Sequence, residues 1–170
     1  MLTALYLLTF LGLLGAFDTL WYHEYKQQLP RNATAKVELR LHAARDFAYA
    51  IVFAALAWGS WHGGLAWILF GILSFEIGIT LWDFIEEDLS RRLPAGERVM
   101  HTIMAIVYGA FLANLLPEIF RWSSLPTSVV PADYGMLSWI LSGFAVGVFF
   151  SGIRDVVASF RFPKILDAAL

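Results

Sequence analysis

The sequence predicts an all-α, polytopic membrane protein with five transmembrane helices, four of which form an internally duplicated bundle. Hydrophobic residues make up 59% of the 170 positions and charged residues only 15%, and the mean hydropathy is +0.64. This balance is typical of membrane proteins and not of soluble domains. Five apolar stretches are each long enough, at about 20 residues, to cross the ~30 Å hydrocarbon layer of a bilayer. We therefore expect one transmembrane domain over residues 1–170.

The first two helices follow from an apolar stretch, a polar loop and a second apolar stretch. Residues 2 to about 22 are nearly all apolar and no basic residue precedes them, so we interpret them as a retained span and not as a signal peptide. A polar loop at 26–36 contains Pro30 and leads into a helix over about 34–58. The sequence Gly-Ser-Trp-His-Gly-Gly at 59–64 indicates a short turn, so the next span is expected to return directly.

The remaining three spans are separated by a charged run and by a polar segment. The third span covers 65 to about 85 and is followed by the charged run at 86–92. The fourth span covers about 97–116 and is expected to end before a proline. A polar segment rich in Ser and Pro then occupies 117–133, and the fifth span covers 136 to about 153.

The basic residues predict the orientation of these spans. Eleven of the twelve Lys and Arg, including Lys164, follow spans one, three and five, and only Arg121 falls on the other side. By the positive-inside rule the N-terminus lies outside and the C-terminus in the cytoplasm, as expected for a protein of the bacterial inner membrane. The partner of the chain is then the lipid bilayer. A net charge of -2 speaks against nucleic acid, and the absence of Cys excludes disulfides and thiolate ligands.

Two parts of the chain carry the same spaced triplet, a Glu followed by a His four residues on and a Tyr eleven residues on. On a helix these positions lie within about 40° of one another and form one stripe. The duplication relates a first repeat, about 1–60, to a second, about 64–119, and leaves an extra helix at about 134–160. Both repeats begin on the same side of the membrane, which implies a pseudo-twofold axis along the membrane normal. The triplets are Glu38, His42, Tyr49 and Glu97, His101, Tyr108.

Acidic and imidazole groups from four helices are expected at one depth, near the cytoplasmic boundary. With a rise of 1.5 Å per residue they fall within about one helical turn of that plane, a ~5 Å band. An ionised carboxylate inside a span costs on the order of 3 kcal/mol unless it is compensated. Four carboxylates, one from each helix, match the charge of two divalent cations. The predicted metal ligands are Glu24, Glu38, His42, Asp83, Glu87, Glu97 and His101, and the choice among Asp18, His23 and Glu24 and among Asp83, Glu86 and Glu87 stays open.

Further polar residues lie around these predicted ligands. Glu76 shares one face of the third span with Thr80, Asp83 and Glu87, one to two turns deeper in the bilayer. We expect Glu76 to act with Tyr49 and Tyr108 in catalysis, as a proton relay or as the polar end of a substrate pocket, or else to be satisfied by a neighbouring hydroxyl. Residues that could orient the ligands or form structural ion pairs are Asp18, His23, Arg45, Asp46, Arg154 and Asp155.

The pattern over residues 18–108 resembles the ferritin-like di-iron carboxylate proteins and, among membrane enzymes, the alternative oxidases. In these proteins four helices supply Glu, Glu-x-x-His, Glu and Glu-x-x-His. The resemblance implies that two helices of this chain supply one Glu and one His each, and that two other helices supply one carboxylate each. The spacing of four residues instead of three implies a different ligand geometry. The implied ligands are Glu38 with His42, Glu97 with His101, Glu24, and either Asp83 or Glu87.

These observations lead to one preferred hypothesis and three alternatives. The preferred function is a membrane-embedded di-metal oxidase or oxygenase, with iron favoured over manganese or zinc, that acts on a lipid-soluble substrate and receives electrons from a redox partner. A metal-ion carrier or sensor would use Asp18 and Glu76 as steps of a path. A bis-His haem b protein would use His42 and His101 as axial ligands. A peptidase for prenylated proteins would use the Glu-Glu-x-x-x-Arg motif at 86–91.

Overall fold

The computed structural model describes residues 1–161, with the backbone alone at residue 33, and its chain is mostly helical. This confirms the predicted helical class and the count of five long helices within the described part of the chain. Lys164, which contributes to the predicted orientation, lies outside these residues. The long helices are α1 Leu2–Asp18, α2 Lys36–Trp58, α3 Gly64–Ser90, α4 Ala95–Ser123 and α5 Met136–Arg161.

Shorter elements connect these helices. A π-helical turn, Thr19–Lys26, continues α1 without interruption, and the 3₁₀ turns Leu29–Arg31 and Ala33–Ala35 lead into α2. At the opposite end of the bundle two short antiparallel strands, β1 Gly59–Trp61 and β2 Val129–Pro131, pair with each other. The connection after α2 is therefore a strand followed by a turn, and not a turn alone.

Four of the five helical segments are long and apolar enough to cross a membrane: Leu2–Lys26, Gly64–Ser90, Ala95–Ser123 and Met136–Arg161. The segments also expose large apolar side chains, among them Trp82, Ile85 and Leu89 of α3. Exposed apolar surface of this extent is compatible with a membrane protein. α2 is less apolar because its first half carries charged residues such as Arg45 and Asp46.

The helices pack side by side in the order α1, α4, α3, α2, α5, and α5 also contacts α1. The most extensive contact joins α2 and α5, where Gly152 allows close approach because a side chain there would lie 3.2 Å from Asp46 Cβ and 3.3 Å from the Ala43 carbonyl oxygen. α5 thus lies beside both α1 and α2, whereas α3 and α4 contact each other directly. The pseudo-twofold relation between the repeats stays a prediction.

The apolar core occupies the half of the bundle that lies toward the two strands. Its fully buried members come from all five helices and include Leu5, Leu56, Leu69, Phe111 and Leu141. The core residues precede the acidic residues in α1 and α3 and follow them in α2 and α4, as the antiparallel order of neighbouring helices requires. Packing of this half therefore leaves the buried polar residues together at the other end.

The predicted end of the fourth span before Pro117 is wrong. α4 continues through Pro117 to Ser123, and Ile119 and Trp122 are buried in the core. A proline removes one backbone hydrogen bond but does not end a helix whose following turn is held by packing. The Trp122 carbonyl also accepts a hydrogen bond of 2.9 Å from the backbone N–H of Gly63, which anchors this last turn to the strand end of the bundle.

Candidate metal centre

Acidic and imidazole side chains from four helical segments converge at the end of the bundle opposite to the strands. The eight side chains that meet here are each at most 11% exposed. They come from α1 and its π-helical turn, from the first turns of α2 and α4, and from the second half of α3. The residues that the structure brings together are Asp18, His23, Glu38, His42, Asp83, Glu87, Glu97 and His101.

These side chains form two groups whose geometry suits metal ions. In the first group, which we call site A, His23, Glu87, Glu97 and His101 each offer a ligand atom, and these atoms lie within 4.8 Å of one another. In the second group, site B, the same holds for Glu38, His42 and Glu87. Glu87 belongs to both groups. A carboxylate has two oxygen atoms, so Glu87 is placed to bridge two neighbouring cations.

Several buried atoms of the two sites have no hydrogen-bond partner among the described residues. They include His23 Nε2 and His42 Nε2, one from each site, and the shared Glu87 Oε1. His23 Nε2 lies 3.2 Å from Asp18 Oδ2, but the two atoms lack the geometry of a hydrogen bond. Buried polar atoms are nearly always paired, and an unpaired one costs about 1–3 kcal/mol. Nitrogen and oxygen atoms that lie within 4.8 Å of one another, some of them without hydrogen bonds among the described residues, are what a bound cation needs, so these residues fit a metal.

The histidine rings are positioned by stacking and by further carboxylates. The rings of His23 and His42 are parallel, with an interplanar angle of 8° and centroids 4.6 Å apart. The ring of Phe84 stacks on His101 at 5.7 Å. Asp83 Oδ2 lies 3.1 Å from His42 Nε2, and Asp18 Oδ2 lies 3.3 Å from His101 Nε2. Each imidazole is therefore held at a defined angle to the carboxylates, which limits the loss of side-chain freedom when a ligand binds.

Two arginines contact the cluster but do not balance its charge. Arg91, in the turn between α3 and α4, donates hydrogen bonds to Glu38 and Glu97 at 2.8 and 2.7 Å. Burial opposes the charge of Arg91, but the hydrogen bonds that it donates to Glu97 and Glu38 outweigh this effect and raise the pKa of Arg91 above its ordinary value, so Arg91 stays protonated. Arg45 donates to Asp83 at 2.8 Å. Five carboxylates thus face two guanidinium groups and three imidazoles, so a cation that binds here takes the place of protons on the imidazoles and balances the remaining carboxylate charge.

Glu24, a predicted ligand, belongs to neither site. Its carboxylate forms an ion pair with Arg154 of α5 and is 34% exposed. Arg154 also contacts Asp155 at 2.8 Å. His23, predicted as a supporting residue or as an alternative to Glu24, belongs to site A. Arg154 and Asp155 lie with Glu24 at the edge of the cluster.

The π-helical turn explains why His23 reaches the site. In an α-helix, residues five apart lie about 140° from each other, so Asp18 and His23 would face different neighbours. A π-helix stacks residues i and i+5 on one face. The turn Thr19–Lys26 therefore brings His23 beneath Asp18, with their polar atoms 3.2 Å apart. The spacing of five was the only signal of this contact in the sequence, and α-helical periodicity conceals it.

The three predicted catalytic residues lie together, deeper in the core than the two sites. Glu76 is 1% exposed and accepts a hydrogen bond of 2.7 Å from Thr80 Oγ1. The hydroxyl groups of Tyr49 and Tyr108 face the Glu76 carboxylate, and their rings are 6.1 Å apart. Glu76 Oε2 and Tyr108 Oη have no hydrogen-bond partner in the described part of the chain. These groups form a small polar island between the candidate metal centre and the apolar core.

Comparison of the chain with protein-family models, with curated proteins and with solved structures finds no match. The likeness to ferritin-like di-iron proteins therefore rests on the pattern of side chains alone.

Proposed function

We propose that this protein is a membrane-embedded di-metal oxidoreductase, with iron as the favoured metal, that oxidises a lipid-soluble substrate. The observation that carries the proposal is the position of Glu87, a buried carboxylate shared by two ligand groups. Each group contains a buried histidine nitrogen that has no hydrogen-bond partner among the described residues. Nitrogen and carboxylate ligands of this kind suit iron, manganese and zinc.

The residues of each site have distinct roles in this proposal. Site A binds one ion through His23, Glu87, Glu97 and His101, and site B binds the other through Glu38, His42 and Glu87. Asp18 and Asp83 lie within 3.3 Å of histidine nitrogens and complete the ligand set or orient the rings. A pair of iron ions bound here would supply dioxygen binding and redox equivalents.

The polar island would transfer protons to and from the metal centre. Its members are Glu76, Tyr49 and Tyr108. Within residues 1–161 neither Glu76 Oε2 nor Tyr108 Oη has a hydrogen-bond partner, so Glu76 can take up or release a proton on Oε2 without breaking an existing hydrogen bond. On the side of site B, Arg45 pairs with Asp83, whose Oδ2 atom lies 3.1 Å from His42 Nε2. A redox partner would deliver electrons at the cytoplasmic face, where the basic residues and the predicted metal sites lie.

Two of the alternative functions fit the arrangement less well. A metal-ion carrier needs a polar path to both faces of the membrane, whereas the half of the bundle beyond Tyr108 is filled by apolar residues such as Leu8, Leu69 and Phe111. A bis-His haem needs free space between His42 and His101. Glu87 lies between these two histidines, 3.9 Å from His42 Nε2 and 3.5 Å from His101 Nδ1.

Metal analysis of the purified protein tests the proposal. We expect two transition-metal ions per chain after purification without chelator, because there are two ligand groups. The variant Glu87→Gln should lose both ions, since it removes the shared carboxylate. The variant Glu86→Gln changes the neighbouring residue, which belongs to neither ligand group, and should keep both. A folded wild-type protein that contains no transition metal, even after incubation with iron, would rule out the proposed function.

A further inference from the structure

A cavity of about 490 Å³ lies between α1, α2 and α5, directly beside the candidate metal centre. Its volume is in the range of sites that hold small molecules, roughly 300–1,000 Å³. Most of its wall is apolar and is formed by residues such as Leu11, Phe53, Phe144 and Val148. One end is polar and is formed by Asp18, Arg45, Asp46 and Arg154.

Glycines line the cavity from both α1 and α5. Gly12 and Gly15 lie on α1, and Gly143 and Gly147 lie on α5. A side chain added at Gly143 or Gly147 would meet no atom within 4 Å. Both of these glycines are exposed, so the cavity opens sideways between the two helices. In a bilayer this opening faces the acyl chains of the lipids.

Asp18 connects the polar end of the cavity to site A. It is 3% exposed, and its Oδ2 atom lies 3.2 Å from His23 Nε2 and 3.3 Å from His101 Nε2. The other oxygen, Oδ1, has no hydrogen-bond partner among residues 1–161. A molecule that fills the cavity and donates a hydrogen bond to Oδ1 would therefore place its polar end next to the proposed metal ions.

The two cationic groups at the polar end are paired to different degrees, since Arg154 contacts two carboxylates whereas Arg45 contacts Asp83 through Nη1. Arg45 donates to Asp83 at 2.8 Å, and Arg154 forms ion pairs with Glu24 and Asp155. A ligand that ends in a carboxylate would meet the Asp18 carboxylate and would have to displace one of these partners. The polar end therefore combines a carboxylate acceptor, Asp18, with the guanidinium donors of Arg45, and the uncharged group that can donate to the first and accept from the second is a hydroxyl.

We propose that the cavity binds a neutral single-chain lipid that ends in a hydroxyl group. The hydroxyl donates to Asp18 Oδ1, and the chain runs along Phe144 and Val148 toward the opening between α1 and α5. The inference rests on the proposed function in one respect, because it makes this lipid alcohol the substrate of the metal centre. Binding itself depends only on the cavity and on Asp18.

Photolabelling of the purified protein in detergent tests this assignment. The probes are a hexadecanol and a hexadecanoic acid that carry the same diazirine in the chain, each competed with unlabelled 1-hexadecanol. At neutral pH we expect the alcohol to label α1 and α5 residues of the cavity. Labelling by the acid should be about tenfold weaker, since the ionised acid lacks the donor that a buried acceptor requires. Peptide mapping by mass spectrometry locates the labelled positions.

Two glycine variants separate the cavity from the general lipid surface. Gly147→Leu fills the cavity and should reduce labelling of Phe144 and Val148 by about tenfold, a loss that corresponds to ~1.4 kcal/mol of binding free energy. Gly71→Leu places the same side chain on α3, at an exposed glycine where an added Cβ would meet no described atom within 4 Å. In this variant the labelling of Phe144 and Val148 should equal that of the wild type. Gly143→Leu fills the same cavity one turn away and serves as a second blocking variant if Gly147→Leu does not fold.

The outcomes distinguish this inference from the proposed function. Stronger labelling by the acid would overturn the hydroxyl assignment, and labelling that Gly147→Leu and Gly143→Leu leave unchanged would overturn the binding site. A protein with two metal ions and no cavity labelling would retain the proposed function without this substrate. A metal-free protein that still labels with the alcohol in the cavity would retain the lipid site and exclude the metal centre.

Discussion

Glu38 and Glu97, the residues that begin the two copies of the repeated triplet, are bound by one guanidinium group. Arg91 Nη2 lies 2.8 Å from Glu38 Oε1 and 2.7 Å from Glu97 Oε1. Two residues at equivalent positions of the sequence repeat thus face each other across the bundle, one in site A and the other in site B. Arg91 holds them close while it also carries a positive charge that a bound metal ion must compete with.

Removal of Arg91 should affect the metal-free and the metal-bound protein in opposite ways. The variant Arg91→Gln leaves Glu38 and Glu97 buried without a counter-charge, so the metal-free protein should lose about 3 kcal/mol of unfolding free energy. Metal ions should bind more tightly, because their competitor is gone. Thermal unfolding with and without added Fe²⁺ measures both effects. Arg92→Gln, at the exposed neighbouring position, is the control, and an equal loss of stability in both states would show that Arg91 does not compete with metal.

His23 and Glu24 are adjacent in sequence, but only His23 belongs to site A. His23→Ala should lower the metal content to about one ion per chain, because a metal site that lacks a ligand loses affinity. Glu24→Gln breaks the ion pair with Arg154 at the partly exposed edge and should leave two ions. Elemental analysis of both variants decides between them. The reverse result would restore Glu24 to the ligand set and remove His23 from it.

Glu76 should matter for turnover and little for stability. Glu76→Gln keeps the shape of the side chain and the acceptor for Thr80, but it removes the acidic proton site between Tyr49 and Tyr108. Dioxygen consumption by the iron-loaded protein should fall about 100-fold, the usual contribution of a positioned acid or base. Thermal unfolding should stay within about 1 kcal/mol of the wild type.

The same assay with Tyr108→Phe should also show reduced turnover, because it removes the hydroxyl that faces Glu76. Its unfolding free energy should be unchanged or higher, since the deleted hydroxyl is buried without a hydrogen-bond partner in the described structure. If both Glu76→Gln and Tyr108→Phe consume dioxygen at the wild-type rate, the polar island has no part in the reaction.

Gly63 should tolerate no side chain, in contrast to Gly64. Its φ angle is +58°, and a Cβ atom would lie within 2.6 Å of the Thr127 backbone. Gly63→Ala should therefore lower the unfolding free energy by about 2 kcal/mol or more. At Gly64 the nearest atom to an added Cβ is Thr127 Oγ1 at 3.8 Å, so Gly64→Ala should have little effect. Thermal unfolding of the two variants provides the comparison.

The number of helices and the region of the candidate centre could be predicted from the sequence. Both depend on patterns within single helices, which do not change with the way the helices pack. Apolar stretches of span length predict helices, and the repeated Glu, His and Tyr share one face whatever neighbours the helix has. The position of Glu87 in both sites is also compatible with its predicted place one turn after Asp83. These features require only the period of an α-helix.

The features that were not predicted arise where the backbone departs from the α-helical period, or where packing against segments distant in sequence determines the structure. His23 reaches site A through a π-helical turn, which an α-helical wheel cannot represent. α4 continues past Pro117 because Ile119 and Trp122 pack in the core, a tertiary effect. The cavity depends on the position of α5, which has no counterpart in the repeated part of the chain. The glycines of the cavity can be read from the sequence, but the sequence does not show that α1 and α5 lie next to each other.

The charged first half of α2 constrains how the chain is made. α2 has less apolar character than the other four helices and packs against both α3 and α5. During synthesis α2 emerges before either neighbour, and in the membrane-embedded protein that we propose Glu38 and Asp46 would then face lipid alone. We expect α2 to wait at the translocon or the bilayer surface until α3 and Arg91 have emerged, so that biogenesis of this protein is ordered by the pairing of its charges.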